Sequence, residues 1–200
     1  ILMDAPPEKE KIHPFIMVAK FLGKYNFSVP EIFHYNTENG FMLLEDFGNN
    51  LFSSLLLNNK DKKLEEEIYL KAIEFLLKLH ETPIYEELPL YDEKTFIAES
   101  STFIEWFFPY ASKTELDQRQ LNIFTDLLKS LISKQNNIKK TNVLRDFMVD
   151  NLIWLDKRDN IKKIGLLDFQ DAVQGPLSYD LVSLLEDARR DVSPNVVRKS

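Results

Sequence analysis

Apolar positions along this chain change their period several times, and each change marks an element. Between Glu8 and Lys24, Ile12, Phe15, Ile16, Ala19, Phe21 and Leu22 recur at helical spacing and predict an amphipathic helix. Before it, Ile1–Met3 reads as a strand end closed by Asp4-Ala-Pro-Pro7, where two prolines stop strand pairing and favour a helix start. Two further strands are predicted at Glu31–Tyr35 and Gly40–Leu44. Asn39-Gly40 between them is a hairpin signal, because both residues accept positive φ. The second strand runs into a connector, Glu45-Asp-Phe-Gly48, and then a helix over Leu51–Leu57.

Beyond this point the pattern is mostly helical. Leu64–Leu79 carries apolar residues at 64, 68, 72, 73, 76, 77 and 79, with His80 and Pro83 marking its end. Leu88–Ala111 is rich in aromatics and shows no period, so it is expected to be irregular. Leu116–Ile132 predicts a helix buried on Leu121, Phe124, Leu128 and Leu131. Strand Leu152–Leu155, turn Asp156–Asn160 and strand Ile161–Leu167 follow. Gly175-Pro176 reads as a break, and Tyr179–Arg190 as a final helix. The fold class is α+β: a small sheet with one helix over residues 1–48, then a mostly helical part carrying a hairpin over 49–200.

Two hundred residues, 44% hydrophobic, suffice for a buried core in one or two domains. The 15 Phe argue against disorder although 28% of residues are charged. A net charge of −7 with no basic patch excludes a general nucleic-acid binder. Cysteine is absent, which removes disulfides and thiolate metal sites. Carboxylates, amides and three His remain, a donor set better suited to Mg²⁺ than to zinc. No apolar run approaches the roughly 18–20 residues that span a bilayer, and no secretory signal is apparent, so a cytoplasmic protein without a membrane partner is expected. The chain opens on Ile1 with strand-like residues and reads as truncated at its start.

One constellation bears on chemistry. Asp146 and Asn151 precede the apolar run Leu152–Leu155, and Asp168 follows its partner Ile161–Leu167. If the two strands pair, all three side chains meet at one end of a hairpin. Phosphoryl transfer asks for this set: a carboxylate to orient a hydroxyl nucleophile, and an amide plus a second carboxylate to hold magnesium on nucleotide phosphates. An Asp and an Asn flanking strands also fit ordinary turn formers. A non-transferring binding module (a pseudokinase) and a metal-dependent phosphohydrolase are the rival classes. The latter usually requires more Asp and His ligands than this region supplies.

Leu144-Arg-Asp-Phe-Met-Val-Asp-Asn151 and Leu167-Asp-Phe-Gln-Asp171 resemble the catalytic and metal motifs of the aminoglycoside phosphotransferase and choline kinase family, relatives of the protein kinases. Phe41-Met-Leu-Leu-Glu-Asp-Phe-Gly48 is similar to that family's last N-lobe strand and hinge, and Gly175-Pro-Leu-Ser-Tyr-Asp-Leu181 to the segment after its metal motif. Met3-Asp-Ala-Pro-Pro7, Asp168-Phe-Gln-Asp-Ala172 and the stretch 175–184 most resemble the branch of bacterial anomeric kinases. These act on N-acetylmuramate and N-acetylglucosamine in peptidoglycan recycling.

The resemblance implies a protein-kinase-like two-lobed fold, with an N-lobe truncated at its start and a helical C-lobe carrying the hairpin. It implies ATP as co-substrate, Mg²⁺, and a small-molecule acceptor such as a cell-wall amino sugar. An aminoglycoside, choline or fructosamine acceptor stays open. Asp146 would be the catalytic base, Asn151 and Asp168 the metal ligands, and backbone around Glu45, Asp46 and Phe47 the adenine contact. Asp180 would tie the catalytic loop to the following helix, or merely cap that helix. Asp171, Glu105, Trp106 and Tyr110 are acceptor candidates, or a packed aromatic cluster with a turn cap. Three departures stand out: Leu144 replaces a His common in the family, the glycine-rich first strands are missing, and no third-strand Lys is evident. Lys9 and Lys11 are expected on the helix as solvated charges. His13, His34 and His80 share no spacing and read as structural or exposed.

Overall fold

The computed structural model describes every residue except 59–60 and 135–137. Strands β1 (Leu2–Asp4), β2 (Ile32–Asn36) and β3 (Phe41–Leu44) form an antiparallel sheet in the order β1–β3–β2. Alternation along β3 turns Met42 and Leu44 into the core and leaves Phe41 and Leu43 outside. Helix α1 (Ile12–Lys24) packs Phe15, Ile16, Val18, Ala19 and Leu22 inward. It starts at Ile12 rather than Glu8, because the amides of Lys9 and Glu10 both donate to the Pro6 carbonyl (2.8 and 3.0 Å) and close a turn first. Lys9 therefore lies in that turn and Lys11 at the helix N-cap, both exposed, and not on the helix as expected.

The β2–β3 hairpin forms, with a different turn. Gly40 alone takes positive φ (71°), while the Asn36 side chain accepts the amides of Glu38 and Asn39 at 3.0 Å each. The Gly40 carbonyl accepts the Ala5 amide at 2.9 Å, and a Cβ built on Gly40 would stand 1.8 Å from the Ala5 carbonyl oxygen. Gly40→Ala is accordingly expected to destabilise the protein by more than ~3 kcal/mol, through backbone collision added to left-handed strain. Urea unfolding measures it, and a loss below ~1 kcal/mol would contradict the geometry.

Helix α2 (Phe52–Asn58) and the long α3 (Lys62–Glu81) follow the connector. Asp61 caps α3 by accepting the Lys63 amide at 2.9 Å. The helix buries Ile68, Tyr69, Ala72, Phe75, Leu76 and Leu79, each large apolar side chain contributing about 1.5–3 kcal/mol. Leu77, expected on that face, is 60% exposed, since it sits about 100° around the helix from Leu76. Residues 88–111 are not irregular: they hold α4 (Glu93–Thr102), a π-helical turn over Phe103–Phe107, and α5 (Phe108–Ser112). No residue of α4 is buried, so no apolar period announced it. Helix α6 (Gln118–Ser133) opens on an Asp117/Gln120 capping box but also buries nothing. Leu131, expected in the core, is exposed, and Leu121, Phe124 and Leu128 are half-buried.

Two antiparallel pairs carry the remainder: β4 (Lys140–Val143) with β7 (Val173–Pro176), and β5 (Leu152–Trp154) with β6 (Ile164–Leu166). The first pair was not anticipated. Gly175 and Pro176 lie in β7 opposite Thr141 and Lys140 instead of breaking the chain. Asn160–Lys163 is a 3-10 turn, so β6 begins at Ile164 and not Ile161. Helix α7 (Tyr179–Leu185) ends short of Arg190, and α8 (Pro194–Lys199) follows. Ion pairs of Arg190 with Glu65 and Lys199 with Glu66 hold this C-terminal stretch against α3. One hydrophobic cluster gathers buried residues from both sides of Gly48. Phe27–Phe75 (4.6 Å), Phe15–Phe169 (4.7 Å) and Phe21–Tyr85 (4.6 Å) are ring contacts across that point. Among the described residues no helix is long and apolar enough to cross a membrane.

Candidate active site

β4 delivers the chain to a tight turn at Leu144-Arg145-Asp146. The Asp146 amide donates to the Leu144 carbonyl at 2.9 Å, and Arg145 between them holds φ 70°. A non-glycine residue there costs on the order of 1–3 kcal/mol, so the surroundings must enforce it. Asp180, 1% exposed on α7, does so by accepting the amides of Leu144 (2.8 Å) and Arg145 (2.9 Å). Asp180 thus ties the turn to α7 and makes no capping bond to α7 itself. Leu144, where the family often has His, is buried apolar core.

Burial pushes the Asp180 carboxyl up to about 7, outweighing the two amide bonds that act in the opposite direction. A raised folded-state value favours the protonated fold, so this contribution is full below about pH 4 and fades as pH rises through about 7. Urea unfolding between pH 5 and 8 is expected to show that decline in the parent protein and to lose it in Asp180→Asn. The Asn variant should also be less stable by about 1–3 kcal/mol, since an amide nitrogen cannot accept a backbone N–H. Equal pH slopes would contradict this role for Asp180.

Asn151 closes a short 3-10 turn (Val149–Asn151) and donates its side-chain amide to the Asp146 carbonyl at 3.0 Å. Its own carbonyl accepts the Leu167 amide at 2.9 Å, one step beyond the Leu152–Leu166 pair. Asp168 comes next, in left-handed backbone (φ 54°) and exposed, with Gln170 donating to its Oδ1 at 2.6 Å. The hairpin therefore brings Asn151 and Asp168 to one end. Asp146 is near enough to feel Asp168: burial first, then the Asp168 charge, raise its pKa. With Asn151 Nδ2 committed to a carbonyl, its Oδ1 is the side-chain atom that could take a cation. An amide oxygen and a carboxylate fit Mg²⁺, which takes one or two protein groups and completes its shell with phosphate and water. Among the described residues no cluster of three acidic or His side chains could hold a metal by itself. Phe169, 1% exposed, stacks on Phe15 of α1 and anchors this end of β6.

Two cavities share Arg145 as a lining residue, and Asp146 lines one of them. One of about 490 Å³ is lined by Asp146, Arg145, Tyr179 and Arg189 among others. The other, about 580 Å³, is lined by Arg145, Gln170, Asp171 and His13. Glu105 and Trp106 line neither; they sit exposed on the π-helical turn, Trp106 at 76%, and Tyr110 on α5 is likewise outside. Asp171 is exposed at its cavity mouth. His34 is exposed on β2, and burial lowers the pKa of His80.

In the connector, the Glu45 amide donates to the Glu31 carbonyl (2.8 Å) and its carboxylate pairs with Arg158 (2.5 Å). Asp46 accepts the Gly48 amide at 2.8 Å. The Phe47 ring lies under the Arg158 guanidinium (4.9 Å) and directly on Gly165 of β6. Sequence reasoning missed Glu99 of α4, which accepts from Arg145, and Tyr91 before it, whose hydroxyl donates to Glu99. Nothing along the sequence links positions so far apart.

The model of the phosphotransferase enzyme family, APH, matches residues 1–199. The chain belongs to that family. Among relatives of the chain, an N-acetylmuramate/N-acetylglucosamine kinase of Neisseria meningitidis is 37% identical over 188 residues, covering 94% of the chain and 54% of that protein. The Pseudomonas aeruginosa kinase of the same name is 31% identical, with 94% and 53% covered. The chain thus spans about half the length of the curated relatives it matches. Among solved structures, the gentamicin complex of APH(2")-IIa superposes with a TM-score of 0.65 at 16% identity, over 93% of this chain and 62% of that one. A choline/ethanolamine kinase family protein from Mesorhizobium loti gives 0.61 at 13%, over 98% and 59%. The expected α+β, protein-kinase-like fold is borne out.

Proposed function

We propose that the full protein transfers the γ-phosphoryl group of ATP to a hydroxyl of a small molecule, the anomeric hydroxyl of N-acetylmuramate or N-acetylglucosamine. The observation that carries this reading is the convergence of Asp146, Asn151 and Asp168 at one end of the β5–β6 hairpin. The names and identities of the Neisseria and Pseudomonas relatives support the acceptor.

Asp146 takes the acceptor hydroxyl proton as that oxygen bonds to the γ-phosphorus. The bond from phosphorus to the β–γ bridging oxygen breaks, and ADP departs. An anomeric hydroxyl is more acidic than an ordinary alcohol, so a carboxylate base suffices. Held by Asn151 Oδ1 and Asp168, Mg²⁺ would neutralise charge on the phosphates. Positioning supplies most of the remaining acceleration. The adenine meets backbone around Glu45, Asp46 and Phe47. There the Glu45 amide is already used by Glu31, which leaves the Glu45 carbonyl for the base. The acceptor occupies the cavity lined by Asp146 and extends past Arg145 to the second one, where Asp171 bonds a hydroxyl. Glu105 and Trp106, outside both, receive no role. Residues 1–48 are read as part of an N-lobe and 49–200 as a C-lobe, and the reaction is assigned to the cytoplasm, where ATP is available.

The test is a phosphate-transfer assay on the full-length protein with N-acetylmuramate, N-acetylglucosamine, aminoglycosides, choline and fructosamine. Transfer to C1 of the amino sugars is expected. Transfer to none of them would sink the acceptor assignment.

A further inference from the structure

Helix α4 buries none of its own side chains, yet it is bonded to the residue that precedes Asp146. Glu99 projects from α4, and its two carboxylate oxygens serve two partners. Oε1 accepts from Arg145 Nη2 at 2.6 Å, and Oε2 accepts the Tyr91 hydroxyl at 2.6 Å. Arg145 is gripped elsewhere too: Asp180 takes its amide, and its carbonyl accepts the Ser183 hydroxyl at 3.3 Å. It is also the positive-φ residue whose conformation sets the direction of Asp146.

Tyr91 adds a second tie, packing edge-on against Tyr179 of α7 (5.1 Å), the neighbour of Asp180. Arg145 lines both cavities, the one that Asp146 lines and the one that holds Asp171. The Arg145 Nε is buried without a hydrogen-bond partner among the described residues, and its charge is met chiefly by the Glu99 carboxylate, with Tyr179 and Asp171 acting in the same direction. Removing one member of this half-buried charge pair leaves the other less compensated, and the turn loses one of its ties. With no fully buried side chain, α4 is held in part by the same bond.

We infer that Glu99, braced by Tyr91, is a positioning residue for Asp146: through Arg145 it holds the strained turn that aims the base, and it makes α4 and that turn move as one body. The kinetic part of this inference rests on the phosphotransferase reading above; the structural part does not.

The experiment compares full-length wild type, Glu99→Gln and Tyr91→Phe by two readouts. In steady-state kinetics with ATP and the amino sugars, Glu99→Gln is expected to lower kcat ~10- to 100-fold and leave KM for ATP within ~2-fold, as for a misaimed catalytic group. Tyr91→Phe should act in the same direction by ~3- to 10-fold, since it loosens the brace and keeps the ion pair. In hydrogen exchange, the amides of 144–151 should exchange ~10-fold faster in Glu99→Gln, while those of the α3 core, 68–79, stay unchanged. Unchanged exchange at 144–151, faster exchange everywhere, or undiminished kcat would each overturn the inference. If wild type phosphorylates none of the amino sugars, the proposed function fails, and the exchange comparison still decides whether Glu99 holds the turn.

Discussion

Asp146→Asn in the full-length protein is expected to lower turnover by at least ~10²-fold, the effect of losing a positioned base. The substitution is nearly isosteric, and the bonds that shape the turn survive it, because they use backbone atoms of Asp146 rather than its carboxylate. Its amide donates to Leu144, and its carbonyl accepts Asn151 Nδ2 and the Met148 amide. What disappears is a proton acceptor next to the cavity that would hold the sugar. The charge change has a second consequence. Asp168 is among the groups that raise the Asp146 pKa, so the two carboxylates repel. Neutralising Asp146 should leave metal–nucleotide affinity unchanged or slightly tighter, and KM for ATP should not rise. Turnover within a few-fold of the parent protein would remove Asp146 from the role of base.

Asp168→Ala should abolish magnesium-dependent nucleotide binding. Calorimetric titration of the full-length protein with ATP, with and without Mg²⁺, reads this directly. In the parent protein Mg²⁺ should tighten binding, and in the variant it should not. Asp168 occupies left-handed backbone at φ 54°, where Ala costs on the order of 1 kcal/mol and Asn is tolerated. Asp168→Asn keeps the backbone preference and removes the charge. Loss of the magnesium effect in both variants assigns the result to the missing carboxylate. Unchanged ATP affinity with Mg²⁺ present would contradict the metal assignment for Asp168.

The hairpin carrying Asn151 and Asp168 was legible because two apolar runs of strand length are separated by a short charged turn, and pairing fixes where the flanking residues meet. The β4–β7 pair was hidden for the opposite reason: Lys140-Thr-Asn-Val143 has little apolar signal, and Gly175-Pro176 looks like a stop. Pro176 is tolerated at the end of a two-stranded pair, where no further strand needs its missing N–H. Helices α4 and α6 show how periodicity fails from both sides. The first buries no residue and so repeats nothing, while the second has the expected stripe but leaves Leu127 and Leu131 largely in solvent. At the site, the Asp180 bonds followed from the family resemblance and not from spacing. Glu99 had no signal, because its meeting with Arg145 depends on the path of an unrecognised helix.

The three ring contacts that cross Gly48 restrict how this molecule can breathe. Swinging residues 1–48 away from the rest would part Phe15, Phe21 and Phe27 from their partner rings together and wet a continuous interior, a costly excursion for a close-packed core. Relative movement of the two sides is therefore expected as a shear, with the rings sliding over one another in contact, and not as a clamshell opening.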